Sequence, residues 1–203
     1  MAGPNEQVVI SAVPLMGELI VPALMNIGAT FPEIGVVYRS ELGFANLADC
    51  STIAIRAGAE PAGDRLAVRW LGRISVALVA TQAYIARHGL PETPADLARY
   101  EMVAHDFPDG AAPWSRWLLH HTRTQRTIFR TNDETVLRLA IRSGRCAGFL
   151  PISSLIWSPE LVELMPSSDE WAAPLWLVHD RGASQACRDV GRELADIVSR
   201  QLE

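Results

Sequence analysis

The sequence predicts an α/β fold with a mostly parallel sheet, divided between two lobes. Three observations point there. Apolar strands alternate with a helix-patterned run between residues 8 and 56, and a second strand, helix and strand follow between residues 127 and 151. A stretch rich in proline, glycine and aspartate at 105–117 separates the two runs.

The elements follow in order. Val8 to Val13 is a short apolar run of β character, and Pro14 to Ile27 places Leu15, Leu19, Ala23 and Ile27 on one helical stripe. Pro14 is tolerated at the start, where a helix amide has no intrahelical partner. Phe31-Pro32-Glu33 reads as a turn, Ile34 to Tyr38 as a strand, and Thr52 to Arg56 as a short strand ending in charge. Such β-α-β alternation implies right-handed crossovers in a largely parallel sheet. Leu66 to Trp70 and Ile74 to Ala80 are expected as two strands joined by a Gly72-Arg73 turn, and Thr81 to Arg87 as a helix closed by Gly89 and Pro91. Residues 105–117 are expected as a long loop. After the extended TIFRTND segment, Val136, Leu139, Ala140 and Ser143 fall at helical spacing over Thr135 to Arg145. Asp133 is placed to accept from the first-turn amides, and Gly144 to end that helix. A short buried strand then stops at Pro151, which cannot donate to a sheet ladder. Pro174 to His179 is one more strand, and Ser184 to Leu202 a final helix with Val190, Leu194, Ile197 and Val198 on one stripe. No internal repeat is visible at residue level.

Composition narrows the function classes. Of 203 residues, 49% are apolar and 20% charged, which suits a folded globular chain rather than a disordered one. The net charge of -5 argues against extensive phosphate contacts, which need clustered cations. All 18 basic residues are arginine. No run approaches the ~18 uninterrupted apolar residues of a membrane helix, and the first residues lack a secretory pattern, so no membrane association and a cytoplasmic location are expected. Cys50, Cys146 and Cys187 lie far apart with no metal-ligand spacing, so neither a disulfide framework nor a zinc site is expected, and no metal or cofactor.

Several segments together carry a family resemblance: LIVPAL, FPEIGV, TIAIRAG, RLAVRWLG, QAYIARHGLPETPADLARY at 82–100, RTND, SGRCAGFLP and LWLVHD. This ordered set, covering almost the whole chain, resembles the effector-binding domain of LysR-type transcriptional regulators. The block at 82–100 is its most specific part. The resemblance implies a two-lobed, periplasmic-binding-protein-like (type II) fold with two crossover strands. Lobe I would comprise residues 8–77 and 178–203, and lobe II residues 78–177. It also implies a sensor that binds a small-molecule effector, a carboxylate or an aromatic metabolite, in the cleft between the lobes, without catalysis. Self-association as a homodimer or tetramer is implied as well. DNA would be bound only through an N-terminal winged helix-turn-helix of the parent protein. That head does not appear in this chain, so the expectation is an expressed fragment.

Carried over position by position, the implied ligand contacts begin at Pro14, Leu15 and Met16, where the family often places a hydroxyl residue and this chain has apolar side chains. Backbone amides of Leu15 and Met16 would remain as donors. Ser40 would supply a hydroxyl, and Arg56 a guanidinium able to pair with a carboxylate in a fork. Thr81 and Gln82 open a helix, where a cap is the stronger role for the threonine. Thr131 and Asn132 end a strand, and Pro151 closes the far wall.

An enzyme would draw on His105, Asp106, the His120-His121 pair and Ser11, yet no nucleophile elbow, zinc helix or phosphate loop accompanies them. A periplasmic-type solute-binding protein shares the fold but needs export. A pure assembly module is the third alternative.

Overall fold

The computed structural model describes residues 6–41, 46–106, 112–121 and 126–202. Two compact units emerge: Met1–Ile74 with Pro174–Glu203, and Ser75–Ala173.

In the first unit, β1 (Glu6–Ala12), α1 (Gly17–Thr30), β2 (Ile34–Ser40), β3 (Thr52–Ala57) and β4 (Leu66–Ile74) precede β10 (Ala173–Asp180) and α6 (Gln185–Leu202). The strands form one sheet in the order β2-β1-β3-β10-β4. β2 and β3 both run parallel to β1, whereas β10 is antiparallel to β3. Pro14–Met16 forms a 3-10 turn, so the α-helix begins at Gly17, three residues later than the apolar stripe suggests. Val8, Ile10 and Ala12 are fully buried on one face of β1, with Ile53 and Ile55 of β3. α6 packs on that same face: a Cβ added to Gly191 would meet Ile53 Cδ1 at 3.5 Å. Gly72 is not a turn residue. β4 runs straight through it at a φ of +140°, and an added Cβ would stand 2.9 Å from Cβ of Leu202, so the last turn of α6 occupies the room a side chain needs.

The second unit holds β5 (Val76–Thr81), α2 (Gln82–His88), β6 (Glu101–His105), α3 (Pro113–His121), β7 (Arg126–Thr131), α4 (Glu134–Arg142), β8 (Gly148–Pro151), α5 (Ser154–Trp157) and β9 (Leu161–Glu163). β5 is flanked antiparallel by β8 and β9, and β6 pairs parallel with β7. Two backbone bonds at 2.9 Å, Val103 amide to Ala147 carbonyl and Ala147 amide to Glu101 carbonyl, join the pieces. The path therefore reads β7-β6-β8-β5-β9. Leu137 and Ile141 of α4 are fully buried against Ala77, Val79, Val103 and Leu150.

The expected loop at 105–117 is shorter than its composition suggests. His105 closes β6 and Pro113 opens α3, because Trp114 and Leu118 fall four apart and both bury. Residues 107–111 of that stretch lie outside the described residues. β6, β9 and α5 carry too few residues for a period to show in the sequence.

The family-specific block at 82–100 has a structural job. Tyr84 stacks on His88 at 4.3 Å and its hydroxyl accepts from the Glu101 amide at 3.0 Å, while the Tyr100 hydroxyl donates to the Gly89 carbonyl at 3.1 Å. These bonds tie α2 to the start of β6.

Candidate effector site

In the first unit, the carboxyl ends of parallel strands β1, β2 and β3 meet at one edge, the place where open α/β sheets leave backbone groups and side chains for a ligand. Ser11 sits there with no solvent exposure. Its hydroxyl donates to Glu41 Oε2 at 2.9 Å and accepts from Arg56 Nη2 at 2.8 Å. The second guanidinium nitrogen of Arg56, Nη1, donates to the carbonyls of Ser11 and Ile55, both at 2.9 Å. Arg56 is thus a half-buried hub bonded to two neighbouring strands. Burial lowers its pKa from the usual arginine value, and the nearby charge of Glu41 opposes that shift.

Ser40 is exposed at the end of β2. Leu15 and Met16 are buried in the turn before α1, and the Met16 amide donates to the Val13 carbonyl at 3.0 Å. Of the two backbone donors expected there, Met16 therefore closes the turn instead of facing outward. Pro14 stands at the head of that turn, half-buried.

In the second unit, Thr81 caps α2: its side-chain oxygen accepts from the Tyr84 amide at 3.1 Å. Gln82 is exposed, with its amide directed to the Glu160 carbonyl at 3.3 Å. Asp133 caps α4 by accepting from Thr135 and Val136, and the Thr131 hydroxyl accepts from the Asp133 amide at 3.0 Å. Thr131 and Asp133 thereby hold the turn in place and leave Asn132 exposed beside it. Pro151 ends β8 in register with Val76.

Glu41, Arg39, Asn46, Asp49 and Thr52 are absent from the residues carried over by resemblance. Together with Ser11 and Val9 they line a cavity of about 300 Å³ in the first unit. One sequence signal was available: Ser11 interrupts an otherwise apolar strand, VVISAV, and a buried hydroxyl requires a partner.

The LysR substrate binding domain family model matches residues 2–197 of the sequence. This chain belongs to that family. Among curated relatives, the HTH-type transcriptional regulator CrgA of Neisseria meningitidis is 29% identical over 106 residues, 52% of this chain and 35% of CrgA. The probable HTH-type transcriptional regulator LtrA of Klebsiella pneumoniae is 27% identical over 171 residues, 79% of this chain and 54% of LtrA. The LysR-type domain described here therefore spans about half or less of the length of these relatives, which are regulators rather than enzymes or solute-binding proteins. In fold it is similar to the regulatory domain of CrgA from Neisseria meningitidis, with a TM-score of 0.76 at 21% identity, covering 97% of this chain and 98% of that one. The two-lobed fold of LysR effector-binding domains is the fold of this chain. No helix among the described residues is long and apolar enough to cross a membrane.

Proposed function

We propose that this LysR-type domain is the sensing part of a transcriptional regulator and does no chemistry of its own. A small-molecule effector binds it and favours one conformation. That preference passes to an oligomer whose parent chains hold DNA through a winged helix-turn-helix. The coupling is a difference in effector affinity between two conformations, so the free energy available to the switch equals that difference and no more. Dimeric or tetrameric assembly and a cytoplasmic location belong to the same reading. The observation that carries it is the gathering of Ser11, Ser40, Glu41 and Arg56 at the carboxyl edge of β1–β3, on a chain of this family.

Candidate contacts are Leu15, Ser40 and Arg56 in the first unit, and Gln82 and Asn132 in the second. Thr81 and Thr131 act through the helix cap and the turn that they hold.

The test is thermal unfolding of the purified chain against a panel of small organic acids, aromatics and amino-acid derivatives. A ligand at 100 times its dissociation constant adds ~2.7 kcal/mol of stability, several degrees for a domain of this size. A shift that Ser40→Ala or Asn132→Ala diminishes supports the reading. The absence of any shift across a broad panel favours a module that only assembles.

A further inference from the structure

We infer that Cys50 and Cys187 form a thiol pair that a hydroperoxide converts into a disulfide, stapling together the two chain segments that build the first unit. The pair is a modification site, independent of which effector the domain takes.

The first unit is discontinuous: Met1–Ile74 supplies β1 to β4, and Pro174–Glu203 returns to supply α6. One cysteine lies on each segment, and Ser184 binds both. Its amide donates to the Cys50 carbonyl at 2.9 Å, and its hydroxyl oxygen accepts from the Cys187 amide at 3.2 Å, in the first turn of α6. Two such short links keep the Cα atoms of the cysteines within about 11 Å of each other at most. A disulfide spans about 4.4–6.8 Å between Cα atoms, so the pair needs no more than a few ångström of approach. The thiols also sense each other: after burial and the charge of Asp49, the charge of Cys50 is the next cause that raises Cys187. Cys50 is placed to supply the approach. Among the described residues it is the one non-glycine residue with a positive φ, at +60°, where a side chain crowds the backbone. Its amide reaches the Leu47 carbonyl only at 3.3 Å, a long bond.

The two cysteines divide the chemistry. Cys50 is half-buried, so an oxidant in solvent reaches its sulfur, whereas Cys187 has no solvent exposure and burial pushes its thiol up to about 11. Reaction therefore starts at Cys50. Its sulfur attacks one oxygen of the hydroperoxide, the O–O bond breaks, and the products are the Cys50 sulfenic acid and an alcohol, or water when the oxidant is hydrogen peroxide. The Cys187 sulfur then attacks the Cys50 sulfur: the S–S bond forms, the S–O bond breaks, and the Cys187 proton leaves with the hydroxyl as water. In all, two thiols give up two electrons and the peroxide bond takes them. Burial keeps Cys187 from meeting the oxidant itself, which preserves it as the thiol for the second step. The link closes a loop over residues 51–186, which contains the whole second unit, and ties the start of β3 to the start of α6.

Mass-spectrometric peptide mapping of the intact chain under non-reducing conditions, before and after hydrogen peroxide, tests this. The expected result is a cross-linked pair of peptides carrying Cys50 and Cys187, lighter by two hydrogens than the separate halves and parted again by a thiol reductant. The link is lost in Cys50→Ser and in Cys187→Ala and kept in Cys146→Ala, whose sulfur in the second unit donates to the Ala140 carbonyl at 3.3 Å. In Cys187→Ala, Cys50 should stop at the sulfenic acid and be trapped by dimedone. Because the closed loop is long, oxidation should also raise the urea midpoint of the parent and leave that of Cys50→Ser unchanged. Cys50 is half-buried, so its variant keeps the fold even if Cys187→Ala disturbs it. A Cys50 that proceeds to the sulfinic acid without the link, a Cys50–Cys50 bond between two copies, or a chain indifferent to peroxide overturns the pair.

Discussion

The two units share a chain path and differ in what covers one face of each sheet. In the first, β2 and β3 lie parallel to β1, and the antiparallel β10 follows; in the second, β7 and β6 are parallel, Ala147 bridges to β6 in the same sense, and the antiparallel β5 follows β8. The connection from β2 to β3 is eleven residues, 41–51, and that from β7 to β8 is sixteen, 132–147. The longer one contains α4, which buries Leu137 and Ile141. The shorter one supplies Glu41, Asn46 and Asp49, and the sheet beneath answers with Ser11, Thr52 and Arg56. A helix lets a sheet face be apolar. The polar side chains that the shorter connection supplies require hydrogen-bonded partners on the sheet, because buried polar groups left unpaired cost about 1–3 kcal/mol each.

The largest effect expected from this contrast is at α4. Ile141→Ala empties a fully buried position and should cost about 2–5 kcal/mol, read as a lower urea midpoint. Ser11→Ala should cost less, about 1–3 kcal/mol, since it removes the hydroxyl between Arg56 and Glu41 and leaves the rest of the sheet intact. Equal costs would break the comparison and make the polar face as much a core as the apolar one. Asp133→Ala removes the cap of α4, the helix of the longer connection; about 1 kcal/mol should be lost, localised to α4 by amide exchange.

The smallest effect is on pH. Each unit holds one buried cysteine, Cys146 and Cys187. Burial pushes each thiol up to about 11, with the charge of Glu101 adding at Cys146 and that of Asp49 at Cys187. Protons are therefore retained by the folded chain and released by the unfolded one near the ordinary value of 9.0. Stability from this source is complete below pH 9, falls as pH rises, and is lost by about pH 11. Urea midpoints across that window should decline less steeply in Cys146→Ala and Cys187→Ala than in the parent. Native thiol labelling should reach half-buried Cys50 first.

Much of the architecture was legible before the structure. The stripe of Leu19, Ala23 and Ile27, the Asp133 cap and the Gly144 stop, with its φ of +70°, follow from periodicity and from backbone chemistry that acts within a few residues. The two strands expected on either side of Gly72-Arg73 are present as β4 and β5, but the break between them falls at Ser75; the approach of Leu202 from the far end of the chain accounts for the glycine inside β4. α3 was hidden inside a run whose prolines and glycine suggest loop.

The site was legible only in part. Arg56, Ser40, Thr81, Asn132 and Pro151 were reached through family resemblance, which marks positions but not partners. That Arg56 turns inward to Ser11, or that Thr81 spends its hydroxyl on Tyr84, depends on where neighbouring strands and turns place their donors and acceptors. By itself the sequence determined the alternation of strands and helices, the family and the chemical inventory, because these rest on local periodicity and residue type. Tertiary structure alone decided that Ser11, Arg39, Glu41, Asp49 and Thr52 share one cavity, because parallel pairing in a given register brings together residues that are up to about forty positions apart in the chain.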